Sequence, residues 1–119
     1  MSEITVRNEL RTRLMRFLNR RERAYKIIQK KGFAVPDYSS KVKAIKAIRI
    51  QLMASDGWTM KSHCLWICAM SKQIKSLLPF EFHDDPAQQT YRKHMLQLLA
   101  FCDDVVNSKP LFKQNFKAA

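Results

Sequence analysis

The feature that most constrains this chain is a long amphipathic stretch from Thr5 to Lys31, in which apolar and basic side chains separate at the helical period. At about 100° per residue, one side collects apolar residues, namely Leu10, Leu14, Phe17, Leu18, Tyr25 and Ile28. The other side collects basic residues, namely Arg13, Arg16, Arg20, Arg23 and Lys30. The pattern predicts a first helix that packs one face on a core and carries a basic row about 25 Å long at 1.5 Å per residue.

The remaining sequence favours helices as well. Two glycines and four prolines provide little material for hairpin turns, and the apolar periodicities are helical. A chain of 119 residues has the size of one domain. We therefore predict an all-α fold, a single domain over residues 1–119, with a bundle of about four helices over 1–107 and a short basic tail over 108–119.

Capping signals divide the bundle into helices. Gly32 suits the end of the first helix, and the second helix runs from about residues 37–40 to about Ser55. Thr59 is the predicted N-cap of a third helix, from Met60 to about Leu78, whose central run is apolar on every side. Asp85, Pro86 and Gln88 form a capping box with a proline start, which predicts a fourth helix to near Asn107.

The charge is strongly basic and unevenly distributed. There are 22 basic and 10 acidic residues, which gives a formal net charge of +12 and a pI near 10.0. Ten basic residues in the segment 1–31 meet only Glu3, Glu9 and Glu22, whereas solvated helical faces normally mix both signs for i,i+4 pairing. This excess indicates an anionic partner.

Nucleic acid is the partner that this charge pattern favours. Arginine and lysine bind phosphate oxygens, and such contacts give affinity without reading the sequence. We predict that the phosphate backbone of RNA or DNA is contacted by a basic face on the first two helices, formed by Arg13, Arg16, Arg20, Arg23, Lys26, Lys30, Lys43, Lys46 and Arg49. A subunit of a nucleoprotein complex would have such a face. The type of nucleic acid, the strandedness and the oligomeric state stay open.

Known nucleic-acid-binding motifs are not recognised in the sequence. A helix-turn-helix drawn across Lys46 to Lys75 would have to expose the apolar residues Leu65, Trp66 and Ile67 as a recognition helix. The patterns of RNA-recognition, KH, zinc-finger and leucine-zipper modules do not appear either. Binding is therefore expected through charge rather than through base contacts.

Two other partners fit the same basic face. A protein-interaction module, acting as an adaptor or inhibitor, would dock this face on an acidic surface of a partner such as a nucleic-acid-processing complex. Binding to an anionic membrane through the first helix is less favoured, because that helix needs its apolar surface for the core.

Metal binding and catalysis are not predicted. His63, Cys64, Cys68 and His83 are the only nitrogen and sulfur ligands that cluster, but adjacent His63 and Cys64 diverge by about 100° on a helix and no C-x2-C spacing occurs. The acidic residues around Asp85 are explained by helix capping. With no glycine-rich phosphate loop and no nucleophile motif, we expect a non-enzymatic protein without cofactor or metal.

The cysteines and the hydropathy indicate the compartment. Cys64, Cys68 and Cys102 are odd in number, which favours reduced core thiols in the cytoplasm, or in the nucleus of a eukaryotic cell. The first residues lack the apolar run of a secretory signal, and no segment has the roughly 18 apolar residues of a membrane span. We therefore expect a soluble protein that is not exported.

Overall fold

The computed structural model describes residues 2–33, 37–79 and 85–107, and the chain divides into two compact units. Unit 1, Met1–Trp58, contains α1 (Glu3–Lys30) and α2 (Tyr38–Met53). Unit 2, Thr59–Ala119, contains α3 (Met60–Ala69), α4 (Ser71–Ser76) and α5 (Pro86–Val106). The all-α prediction is confirmed, with five helices in the described part rather than about four. That the units form one domain stays a prediction, and the basic tail lies outside the described residues.

In unit 1, α1 follows its amphipathic pattern closely. The Ser2 hydroxyl caps its N-terminus by accepting the Thr5 N–H at 3.1 Å, and Gly32 adopts a φ of 88° just past the C-cap Lys31. The predicted core side is confirmed at five of its six positions, which are Leu10, Leu14, Phe17, Leu18 and Tyr25. The prediction for Ile28 is wrong. Its side chain is 40% exposed, because it lies in the last turn of α1, beyond the final buried residue of the helix.

The second helix, α2, runs antiparallel to α1. As the residue number rises along α1, the number of its partner on α2 falls. The contacting pairs are Arg11 with Leu52, Glu22 with Arg49, and Tyr25 with Lys41. The inward side of α2 is formed by Ile45, Ile48 and Leu52, all of which are fully buried. Unit 1 is therefore a helical hairpin whose two apolar faces are buried.

In unit 2, the predicted third helix is interrupted. Its N-cap is confirmed, since the Thr59 hydroxyl accepts the Ser62 N–H at 3.1 Å. The helix breaks at Met70, where φ is −90° and ψ is 0°, and α4 follows immediately. The buried residues Ile67 and Ile74 stand on either side of this break. Because no glycine or proline lies there, the sequence contains no local signal for the change of helix.

The last helix, α5, begins as its sequence predicts. The Asp85 carboxylate accepts the Ala87 N–H at 3.0 Å, and Pro86 occupies the first helical position. Its buried side, Met95, Leu98, Leu99 and Cys102, packs against α3. The α3–α5 contact is therefore the main interhelical contact of unit 2.

Candidate nucleic-acid interface

Most of the residues predicted to contact phosphates lie on the outer surface of unit 1. Eight of the nine are exposed to solvent: Arg13, Arg16, Arg20, Arg23, Lys26 and Lys30 on α1, and Lys43 and Lys46 on α2. The ninth residue, Arg49, is different, because its side chain is only 23% exposed. A basic surface of the predicted kind is therefore present, without full participation of Arg49.

Five exposed basic residues of α1 form two rows. Arg16, Arg23 and Lys30 follow one another at intervals of seven residues, and Arg13 and Arg20 form a shorter row beside them. Seven residues turn an α-helix through almost two full turns and rise about 10.5 Å, so each row stays on one side of the helix. Together the rows give α1 a straight basic edge, which we call the α1 ridge.

The chain's own carboxylates neutralise only part of this ridge. Arg13 Nη2 lies 2.8 Å from Glu9 Oε1, one helical turn away, in an exposed pair. Beside the two rows, Lys26 Nζ lies 3.6 Å from Glu22 Oε2. Within residues 2–33, 37–79 and 85–107, no carboxylate forms an ion pair with the row of Arg16, Arg23 and Lys30. This row therefore keeps its full positive charge facing solvent.

Glu22 organises the part of the surface that joins α1 to α2. Its two carboxylate oxygens accept from Arg49 Nη1 at 3.0 Å and Nη2 at 3.4 Å, and Nη1 also donates to Asn19 Oδ1 at 2.9 Å. The Arg49 hydrogen bond lowers the pKa of Glu22, and Lys26 and Lys46 lower it further by their charge. The structure thus brings three predicted contact residues around one carboxylate, and it uses Arg49 to tie α2 to α1.

This arrangement predicts a pH-dependent loss of stability. The folded pKa of Glu22 lies below its ordinary value near 4.5, so its contribution is complete above pH 4.5 and disappears as the pH falls through the folded pKa. In the Glu22→Gln variant this contribution is absent at every pH. We expect the free energy of unfolding of the two proteins to differ at pH 7 and to converge as the pH falls through the folded pKa of Glu22. Urea titrations followed by circular dichroism measure the difference, and a constant gap would contradict the role of Glu22.

Two arginines that the sequence-based prediction did not select have structural roles. Arg7 Nη1 donates to the carbonyl oxygens of Ser55, Asp56 and Trp58 at 3.2, 2.8 and 3.1 Å. These carbonyls follow α2, at the negative end of its dipole, where backbone oxygens lack helical partners. Arg7 therefore fastens the start of α1 to the segment that follows α2.

Arg11 extends the same contact into α2 itself. Its Nε donates to Leu52 O and its Nη2 to Met53 O, both at 3.2 Å, while Nη1 lies 2.8 Å from Asp56 Oδ1. We call Arg7 and Arg11 the arginine clamp. Their spacing is a signal that could have revealed them, because Arg7, Arg11, Leu14 and Leu18 continue one i,i+4 and i,i+3 line along the apolar side of α1.

Tyr25 is unavailable as a base-stacking residue. Its ring is 5% exposed, and the guanidinium carbon of Arg21 lies 4.8 Å from the ring centroid. Lys41 Nζ lies 5.6 Å from the same centroid. The packing role expected for Tyr25 is confirmed, and two further basic residues are directed toward an aromatic ring instead of toward solvent.

Unit 2 contains two buried thiols. Cys64 on α3 and Cys102 on α5 are fully buried, and burial raises the pKa of both thiols. Cys68 is partly buried, so the prediction of core thiols holds for Cys64 and Cys102. His63 is fully buried and its ring lies 5.9 Å from that of Trp66. The described residues contain no group of three metal-ligating side chains, and His83 lies outside them.

Neither the described helices nor the comparisons with known proteins assign a function to this chain. No helix in the described part of the chain combines the length and the apolar character needed to cross a membrane. No protein-family model, curated protein or solved structure matches this chain. Any function assigned to the α1 ridge therefore has to be argued from its side chains.

Proposed function

We propose that this protein binds the phosphate backbone of nucleic acid through the α1 ridge and the neighbouring lysines of α2, without catalysing a reaction. The observation that carries the proposal is the row of Arg16, Arg23 and Lys30. These three cations point to solvent from a single edge, and no described carboxylate pairs with them. A surface that brings like charges together in this way is stabilised when phosphates approach it.

Other basic residues of unit 1, which do have partners inside the fold, support this proposal by their difference from the exposed row. Arg7, Arg11 and Arg49 bind carbonyls or carboxylates of unit 1, so their charges already have a structural use. Among the described residues, the row of Arg16, Arg23 and Lys30 has no comparable ion pair. In the compartment expected from its cysteines, cytoplasm or nucleus, a nucleoprotein complex would supply the matching phosphates.

The experiment is a salt titration of oligonucleotide binding. The affinity of the purified protein for a fluorescently labelled oligonucleotide is measured by anisotropy over a range of salt concentrations. We expect log K to fall linearly with log salt, with a slope of about −3 to −5, because four to six phosphate contacts release roughly that number of counterions. An affinity that is too weak to measure at low salt would refute the proposal.

The second candidate is a protein-interaction module, and the outer face of α2 favours it. Ile50 and Met53 are 68% and 59% exposed, and they follow Lys46 at helical spacing. Apolar side chains next to a lysine suit an acidic protein surface better than a phosphate chain. The salt titration distinguishes the candidates when it is repeated with longer oligonucleotides. Weak binding that does not increase with length would favour the protein partner.

A further inference from the structure

We infer that the nucleic acid bound by the α1 ridge is a duplex rather than a single strand. This inference rests on the proposed function and adds the class of ligand. It depends on two features of unit 1: the position of its aromatic side chains and the arrangement of its exposed cations.

The α1 ridge contains no platform on which bases could stack. Proteins that hold single strands without sequence preference combine a basic groove with aromatic side chains that stack on successive bases. The only aromatic residues of α1 are Phe17 and Tyr25, and both are buried. Phe33 is 67% exposed, but it follows Gly32 beyond the end of the helix. One aromatic ring at one end cannot follow a strand along the ridge.

Without stacking, binding depends on charge, and charge favours the duplex. A duplex carries one phosphate charge per roughly 1.7 Å of its axis, and each contact releases about 0.9 counterion, against about 0.7 for a single strand. With five contacts this difference corresponds to about tenfold in affinity at 0.1 M salt.

The shape of the ridge points the same way. Its two rows lie side by side on a straight helix about 25 Å long from Arg13 to Lys30. Two rows of cations can meet the two phosphate strands that border a groove, whereas one flexible strand must be ordered before it can meet either row. The duplex presents its phosphates already in place.

The test compares duplexes with their own single strands. A DNA duplex and an RNA duplex of about 20 base pairs, longer than the ridge at 3.4 Å per pair, are titrated beside their separated strands at 0.1 M salt. Strands without self-complementarity are used. We expect each duplex, DNA or RNA, to bind about tenfold more tightly than its strands. The ratio of the affinities for the two duplexes shows whether DNA or RNA is the preferred ligand.

The Phe33→Ala variant provides a second measurement. If phosphates alone are recognised, this variant should bind both duplexes within about twofold of the unchanged protein. A loss of about fivefold or more would place base stacking in the interface and overturn the inference. Single strands that bind as tightly as duplexes would also overturn it while leaving the proposed function intact. Absence of binding to every oligonucleotide would instead refute the proposed function.

Discussion

The double variant Arg16→Glu, Arg23→Glu is expected to bind an oligonucleotide duplex about 100-fold more weakly than the unchanged protein at 0.1 M salt. Each lost phosphate contact removes about 0.9 counterion from the release on binding, which is worth about eightfold at this concentration. Two lost contacts give about 60-fold, and repulsion between the new carboxylates and the phosphates increases the loss. Fluorescence anisotropy measures it, and the slope of log K against log salt should become shallower by about 2.

A matched control separates the α1 ridge from net charge. Lys61→Glu, Lys72→Glu changes the formal charge by the same amount at two exposed lysines of unit 2. We expect this control to weaken binding only a few fold, through the long-range field. Equal losses in both variants would mean that net charge alone governs binding, and the ridge would lose its special role.

Folding should survive the reversal at the ridge. Arg16 and Arg23 are exposed and form no described ion pair, so no contact within unit 1 is removed. A glutamate at position 16 also stands four residues before Arg20, which is a favourable helical spacing. Circular dichroism and urea unfolding should therefore match those of the unchanged protein, and a large loss of helix would invalidate the binding comparison.

Removing the arginine clamp should lower the stability of the fold. The double variant Arg7→Met, Arg11→Met keeps the long aliphatic stems but deletes donors to five backbone carbonyls and the ion pair with Asp56. We expect the free energy of unfolding to fall by about 2–3 kcal/mol, because five carbonyls at the negative end of α2 lose charged partners, three of them in partly buried hydrogen bonds. Urea unfolding followed by circular dichroism measures this loss.

The control for the clamp uses residues of the α1 ridge. Arg16→Met, Arg23→Met removes two guanidinium groups from the same helix at exposed positions that form no described ion pair, so stability should change by less than about 0.5 kcal/mol. At low denaturant concentration the clamp variant should still bind duplex within about threefold. If the clamp variant kept full stability, or if the ridge variant lost as much, the division of roles among the arginines would be wrong.

Local sequence patterns were sufficient to predict most of the individual helices. The apolar spacing of α1 located its core side at five positions, and Thr59 and Asp85, each followed by a helical period, located the N-caps of α3 and α5. These features depend on residues within one helix or one turn, so a linear pattern contains the necessary information. Exposed basic positions on the outer side of α1 follow from the same periodicity.

The sequence by itself determined the all-helical class, the buried side of α1 and the presence of a basic edge opposite it. Only the tertiary structure decided which cations belong to that edge. The same residue type has two different roles in unit 1. Because α2 runs antiparallel to α1, carbonyls or a carboxylate lie within reach of Arg7, Arg11 and Arg49. Arg16 and Arg23 stay exposed. The break at Met70 was decided in the same way, without a local signal. Helical periodicity fixes the direction of a side chain around its own axis, but its partners depend on which other segment folds against that side.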